Sequence, residues 1–357
     1  MTKVLFVLKK RENSWGSDNY SGDFSSGLMN SATFVSEMLI SQKFDSKIVN
    51  VEDGNRIDKE VFLFKPNFVI IEAFWVTPEK LAELTRLYPR IVWVVRNHSE
   101  VPFLSNEGIA FEWILKYSNI QNVRIASNSE RAVANLRDLL RTKLPGIKEY
   151  DLTQKTPYLP NFYALTGFGG KPNIFDDTKD HIDIACFGAI RPLKNHVVQA
   201  VAAIKFAKIL GKKLKFHVNG GRIEGKGEPI LKNLENIFAN DSRCELVKHE
   251  WLPHDTFISV IKTMDMGMQV SFSETFNIVT ADFVASHIPV VVSKEISWIN
   301  SSYQADPTNI DDIVNRMHVA KHDAMGFFFK HLNIHGLEKY NSSSIHYWNY
   351  FLKSVNF

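Results

Sequence analysis

Apolar residues recur along this chain in two alternating patterns: short unbroken runs, and longer stretches with helical spacing. In the first half the runs 4–8, 47–51, 68–72, 91–95 and 123–126 read as buried strands. Between them, 31–42, 77–86, 109–117 and 130–141 place apolar residues three and four apart and read as helices. The second half repeats the order, with strands at 183–187, 215–219, 245–249, 266–270 and 289–292 and helices at 197–210, 230–239 and 256–264. This alternation predicts an α/β protein whose parallel sheets carry helices on both faces. Segment 151–179 holds Pro157, Pro160, Pro172, Gly167, Gly169 and Gly170 and reads as a linker. Segment 342–355 reads as a separate aromatic helix. The expected organisation is two doubly wound domains, 1–165 and 175–335, with a C-terminal helix over 338–357 that crosses back to the first.

Bulk properties narrow the class without naming a function. A chain of 357 residues exceeds what one hydrophobic core usually organises, so two domains are expected. Hydrophobic content of 45% with 23% charged residues is that of an ordinary globular protein. A net charge of +3 permits an anionic ligand but falls short of a dedicated nucleic-acid binder. The only cysteines are Cys186 and Cys244, which exclude a disulfide framework and a cysteine-based zinc site and fit a reducing cytosol. The apolar run at 4–8 is too short for a signal peptide or a transmembrane helix. A cytoplasmic location is therefore expected.

Ligands of open α/β sheets bind beyond the carboxyl ends of the strands, so loops that follow strands hold the candidate chemistry, and two such domains facing each other would share a cleft. In 271–293, SFSETFNIVTADFVASHIPVVVS, Glu274 lies in a loop after one strand and Asp282 on the following helix. Unpaired N–H groups at a helix start favour phosphate, so flanking carboxylates suit sugar hydroxyls. A nucleotide-sugar meets both demands. In 188–196, GAIRPLKNH, Gly188 ends a strand and Arg191 and Lys194 follow three residues apart, as counter-ions for a diphosphate. On this segment alone a solvated basic turn is an equal reading. The company of Glu274 shifts the weighting.

These segments resemble the donor half of the retaining GT-B glycosyltransferases, in the large family that includes sucrose synthases and bacterial mannosyltransferases. FGAIRPLKNH resembles the family's phosphate loop, LKFHVNGG its next strand and glycine turn, and VKHEWLPHDTF its base-contacting strand end. The run at 271–293 resembles its paired-carboxylate signature. The resemblance implies that Lys194 holds the diphosphate, Glu274 the sugar hydroxyls and Asp282 the ribose. It places Gly188 and Asn219 at the donor, the backbone of Thr275, Phe276, Asn277 and Ile278 on sugar and phosphate, and Trp251 and Leu252 at the base. Asp282 stands where the family has glutamate, and Ala189 where it has arginine, leaving Arg191 as the replacement. Thr275, Asn277 and His287 stand at glycine positions, of which Asn and His best tolerate positive φ.

In the first half, His98 sits where family members place a histidine facing the donor sugar, which makes it the catalytic candidate beside Glu274. Ser26 and Gly27 resemble the family's N-terminal glycine-rich loop. Glu100, Arg137 and Arg141 are acceptor candidates. His331 and His335 have half the spacing of a metal motif but lack its glutamate, and no Asp-x-Asp occurs, so no metal and no cofactor are expected. The implied function is transfer from a UDP-sugar, metal-independent and with retention. The acceptor is a glycan, a lipid-linked sugar or, in a phage-type member, the hydroxymethyl group of a modified DNA base. A nucleotide-sugar epimerase of the same fold and a non-catalytic nucleotide-sugar binder remain alternatives.

Overall fold

The structure, a computed structural model, describes residues 1–10, 27–165, 178–325 and 328–354. The chain divides into two compact units, Met1–Ala164 with Asn341–Phe357, and Leu165–Tyr340. The first contains β1 (Lys3–Lys9), α1 (Gly27–Ser41), β2 (Asp45–Val51), α2 (Ile57–Phe64), β3 (Phe68–Glu72) and α3 (Pro78–Leu87). It continues through β4 (Val92–Asn97), α4 (Val101–Leu104), α5 (Ala110–Ser118), β5 (Val123–Ser127), α6 (Glu130–Lys143) and α7 (Glu149–Lys155). The strands form one parallel sheet in the order β2-β1-β3-β4-β5.

Strand alternation builds a core on each face of this sheet. Leu5, Val7, Val69, Ile71, Trp93, Val95 and Ile125 point to one side, where Ile57, Leu81, Ile114 and Leu136 from the helices meet them. Val4, Phe6, Phe68, Ile70, Val92 and Val94 point to the other, against Val35 and Leu39 of α1 and Trp348, Phe351 and Leu352 from the chain's end. Side-chain caps set the helix starts: Thr77 accepts from Lys80 N at α3, with Pro78 at the first helical position, and Ser129 accepts from Ala132 N at α6.

The second unit runs β6 (His181–Ile190), α8 (His196–Ile209), β7 (Lys213–Ile223), α9 (Glu228–Phe238), β8 (Cys244–Lys248), α10 (His254–Ile261) and β9 (Met266–Gln269). It is completed by α11 (Ile278–Ala285), β10 (Val290–Ser293), β11 (Gln304–Ala305), α12 (Ile310–Met325) and the start of α13 (Phe328–Ser354). Its sheet is parallel, in the order β11-β10-β9-β6-β7-β8. From β6 the chain winds outward through β7 and β8, then returns to the other side of β6 with β9. The winding therefore reverses between β6 and β9, and in the first unit between β1 and β3. Such reversal points open a crevice at the strands' carboxyl ends.

Two readings change, the start of the linker and the start of the C-terminal helix. Residues 151–155 of the expected linker belong to α7, since no proline intervenes before Pro157 and Leu152 is buried. Leu159 and Tyr163 are also buried, and Leu159 N donates to Ser127 O, so the chain stays with the first unit through Ala164. The C-terminal helix is not separate: α13 begins at Phe328. Gly336 sits inside it because a Cβ there would lie 2.4 Å from Trp298 O. Among the described residues no helix is long and apolar enough to cross a membrane.

Candidate functional site

At the reversal point of the second sheet, the loop after β6 meets the loop after β9. Gly188 turns the chain with φ 113, a conformation side chains rarely adopt, and its N–H donates to Asn219 Oδ1 at 2.7 Å. Asn195 then takes φ 58 and anchors the turn, donating to Val270 O at 3.1 Å and Pro307 O at 2.8 Å. Phe272 N donates to Leu193 O at 2.9 Å, tying the two loops together. This scaffold places Lys194 Nζ 2.5 Å from Glu274 Oε1, with the lysine's Cε beside Gly188. The N–H of Glu274 donates to Glu295 Oε2 at 3.4 Å, adding a second carboxylate, one the sequence reading missed.

The next helix starts as its sequence suggests. Asn277, at φ 58, caps α11 by accepting from Thr280 N at 2.9 Å, and its amide donates to Gln269 Oε1 at 2.9 Å. His287, at φ 62, ends the same helix, so two of the three glycine replacements occupy the left-handed region. Thr275 and Ile278 are half-buried, whereas the Phe276 ring is buried against Trp298 and Tyr340, which confines any ligand role of Phe276 to its backbone.

Asp282 is buried, and its Oδ1 lies 2.8 Å from His254 Nε2 at the start of α10. Burial works against a charged His254, but the hydrogen bond and charge of Asp282 outweigh it and raise the histidine's pKa. Trp251 is half-buried, and the Arg222 guanidinium lies 4.2 Å from its ring centroid. Arg222 Nε donates to Glu224 Oε1 at 2.8 Å, and Arg191 approaches the same carboxylate at 3.8 Å. A chain of charge thus joins Trp251 to Arg191. Leu252 follows Trp251, half-buried.

In the first unit, His98 follows β4 and its Nε2 meets Glu72, the last residue of β3. Arg96 Nη1 donates to both Glu72 oxygens, at 3.1 and 3.3 Å. Burial alone would raise the Glu72 pKa, but Arg96 and His98 more than offset it and hold the carboxyl below its ordinary value. Burial lowers the His98 pKa, the neighbouring Glu72 opposing and Arg96 adding to the effect. Glu100 is buried against the Ser129 hydroxyl and Arg131. Arg137 donates to Thr156 Oγ1 at 2.9 Å and Thr156 O at 3.1 Å, and Arg141 pairs with Asp138 and Glu149. All three acceptor candidates thus have partners within their own unit. Gly27 begins α1, and Ser26 lies outside the described residues.

Sequence reading joined Lys194 to Glu274 but missed Glu72, Arg96, His254, Arg222 and Glu295. One signal was available: Glu72 and Arg96 are charges at the carboxyl ends of otherwise apolar strands, though their pairing in register shows only in the structure.

Two parallel Rossmann-like sheets of this order define the GT-B fold, the class to which this chain's architecture belongs. The sequence matches no protein-family model and no curated protein sequence. Among solved structures the chain is similar over its whole length to OtsA without ligand, with TM-score 0.70, 10% identity and 100% of each chain covered. It is similar to the E. coli trehalose-6-phosphate structure bound with UDP-2-fluoro glucose, with TM-score 0.71, 10% identity, and 99% and 100% of the two chains covered. It is also similar to HepE of Anabaena in complex with UDP, with TM-score 0.64, 12% identity, and 99% and 100% covered.

Proposed function

We propose that this protein is a glycosyltransferase that moves a sugar from a UDP-sugar to an acceptor hydroxyl, without metal and with retention. The observation that carries the reading is the Lys194–Glu274 pair at the reversal point of the second sheet, beside the turn at Gly188. A diphosphate entering there shares Lys194 with Glu274, and the carboxylate turns to the sugar hydroxyls. Arg191 adds a second cation as charge develops on the departing UDP. Asn219 and Asn277 hold the two loops in place. Asp282, oriented by His254, takes the ribose hydroxyls, and Trp251 with Leu252 borders the base. UDP as the nucleotude carrier is supported by the ligands named for the E. coli and Anabaena structures.

In the retaining step the bond from the anomeric carbon to the diphosphate oxygen breaks as the acceptor oxygen bonds the same face. The acceptor proton passes to the departing phosphate oxygen. His98 is the catalytic candidate of the first unit. The acceptor is a sugar hydroxyl of a glycan or lipid-linked saccharide; Arg137 and Arg141, engaged by Thr156, Asp138 and Glu149, lend no support to a DNA acceptor. The test is incubation with a panel of UDP-sugars and saccharide acceptors in chelator, reading UDP release and the anomeric configuration of the product by NMR. Acceptor-dependent UDP release with an unchanged anomer supports the proposal. An isomerised sugar without acceptor, or binding without turnover across the panel, contradicts it.

A further inference from the structure

The carboxyl end of β3 holds a charged cluster with an unusual degree of burial. Arg96 is fully buried, and Glu72 and Asn128 nearly so. The guanidinium is satisfied on every side: Nε donates to Leu159 O at 3.0 Å, Nη1 to both Glu72 oxygens, and Nη2 to Pro160 O at 3.0 Å and Asn161 Oδ1 at 2.6 Å. Ser31 Oγ and Asn128 Nδ2 also donate to Asn161 Oδ1, at 3.0 and 3.3 Å. Burying two charges is costly, and an arrangement this complete serves to hold groups in one geometry.

What it holds is His98. Glu72 is ionised beside Arg96 and can only accept, so the proton on the facing His98 nitrogen must lie on Nε2. On the other side, Asn128 Nδ2 can only donate, and it faces His98 Nδ1 at 3.4 Å. Both neighbours therefore require the same tautomer, Nε2–H with a basic Nδ1. Glu72 and Arg96 both act on the ring by charge. The side chain keeps 12% of its surface exposed, at the end of β4 beside the strand that borders the reversal point.

We propose that Glu72 is a positioning residue for glycosyl transfer, which fixes His98 as the Nε2–H tautomer so that Nδ1 accepts a hydrogen bond from a substrate hydroxyl. Arg96 holds Glu72 in place, and Asn128 occupies Nδ1 until that hydroxyl arrives. The inference rests on the glycosyltransferase reading for its consequence, but not for its geometry.

The experiment has two arms. Imidazole nitrogen shifts of the ¹⁵N-histidine-labelled protein, with the His98 signal assigned by its loss in His98→Asn, report the tautomer without turnover. The expected result is a neutral ring protonated at Nε2, and a ring protonated at Nδ1 overturns the proposal. The second arm is a double-mutant cycle on UDP-sugar turnover. Glu72→Asp keeps the charge for Arg96 while withdrawing the carboxylate by one methylene from His98; Glu72→Gln tests the charge, and thermal melting checks that each variant is folded. Glu72→Asp is expected to lower kcat about tenfold with KM little changed, and to add no further loss in a His98→Ala background. A loss of the same size in that background assigns Glu72 a structural role and overturns the proposal. Absence of transfer with any UDP-sugar counts against the functional reading, and the NMR arm then decides the positioning role by itself.

Discussion

Lys194 Nζ lies 2.5 Å from Glu274 Oε1, each side chain at most a tenth exposed, although 80 positions of chain (274 − 194) separate the two. The pairing is a consequence of topology. β6 and β9 are neighbours in the sheet, so the loops leaving their carboxyl ends must meet. Replacing Lys194 with Ala removes the cation that faces a buried carboxylate, and the expected cost is about 3 kcal/mol in urea unfolding. Lys194→Met with Glu274→Gln removes both charges and should recover most of that stability. Neither variant should release UDP from a UDP-sugar.

The Asp282–His254 pair makes a pH-dependent contribution to stability. The folded-state pKa of His254 is raised above its ordinary 6.5, so the stabilisation is fully present below 6.5 and is lost as pH rises through the raised value. Urea unfolding of the wild type should therefore lose stability across that interval relative to His254→Asn. Equal pH profiles for the two proteins would remove the pair from the account.

His196 points the other way. Its ring is buried at the start of α8, neither nitrogen has a hydrogen-bond partner among the described residues, and burial, with Lys194 and Arg191 adding, lowers its pKa from 6.5 to about 3. A histidine held neutral in the fold takes up its proton on unfolding, so stability is lost as pH falls below 6.5. Between pH 6.5 and 5 the loss attributable to this group should be about 1–2 kcal/mol. His196→Leu should show a correspondingly shallower acid dependence in chemical denaturation.

Gly227 allows a close approach behind the loop that leaves β6. A Cβ there would lie 2.0 Å from Ile190 O, and the next residue along β6's path is Arg191. Gly227→Ala must push the two segments apart, at an expected cost of about 1–3 kcal/mol. UDP affinity should fall with it through displacement of Arg191. A melting temperature and UDP affinity equal to wild type would show that the contact is slack.

Much of the fold was legible because buried parallel strands announce themselves as unbroken apolar runs. Phe68–Glu72 was read with the boundaries the structure shows. The loops at 188–194 and 274–277 were singled out because each follows a strand and resembles a known donor half, and the structure brings Lys194 and Glu274 of these loops together. What escaped reading depends on side chains meeting across the sheet. Glu72 and Arg96 each look like the polar end of a strand until parallel register sets them side by side. His254 gives no sign of its partner until α10 and α11 pack and bring it to Asp282. Arg222 reaches Trp251 only because β7 runs on past Gly220 and Gly221, where side chains would strike Lys248 and Glu250. The helix α13 was misread at its start, since the space that makes Gly336 tolerable is occupied by Trp298 O, a residue far away in sequence.

The most direct test of the central claim is calorimetric titration of UDP into the wild type, Lys194→Met and Lys213→Met. Lys213 is exposed at the opposite end of the second sheet, beside Asp180, and serves as the control. Saturable UDP binding that weakens at least about tenfold in Lys194→Met, roughly 1.4 kcal/mol, and is unchanged in Lys213→Met is the predicted result. Wild-type affinity retained in Lys194→Met would contradict the account.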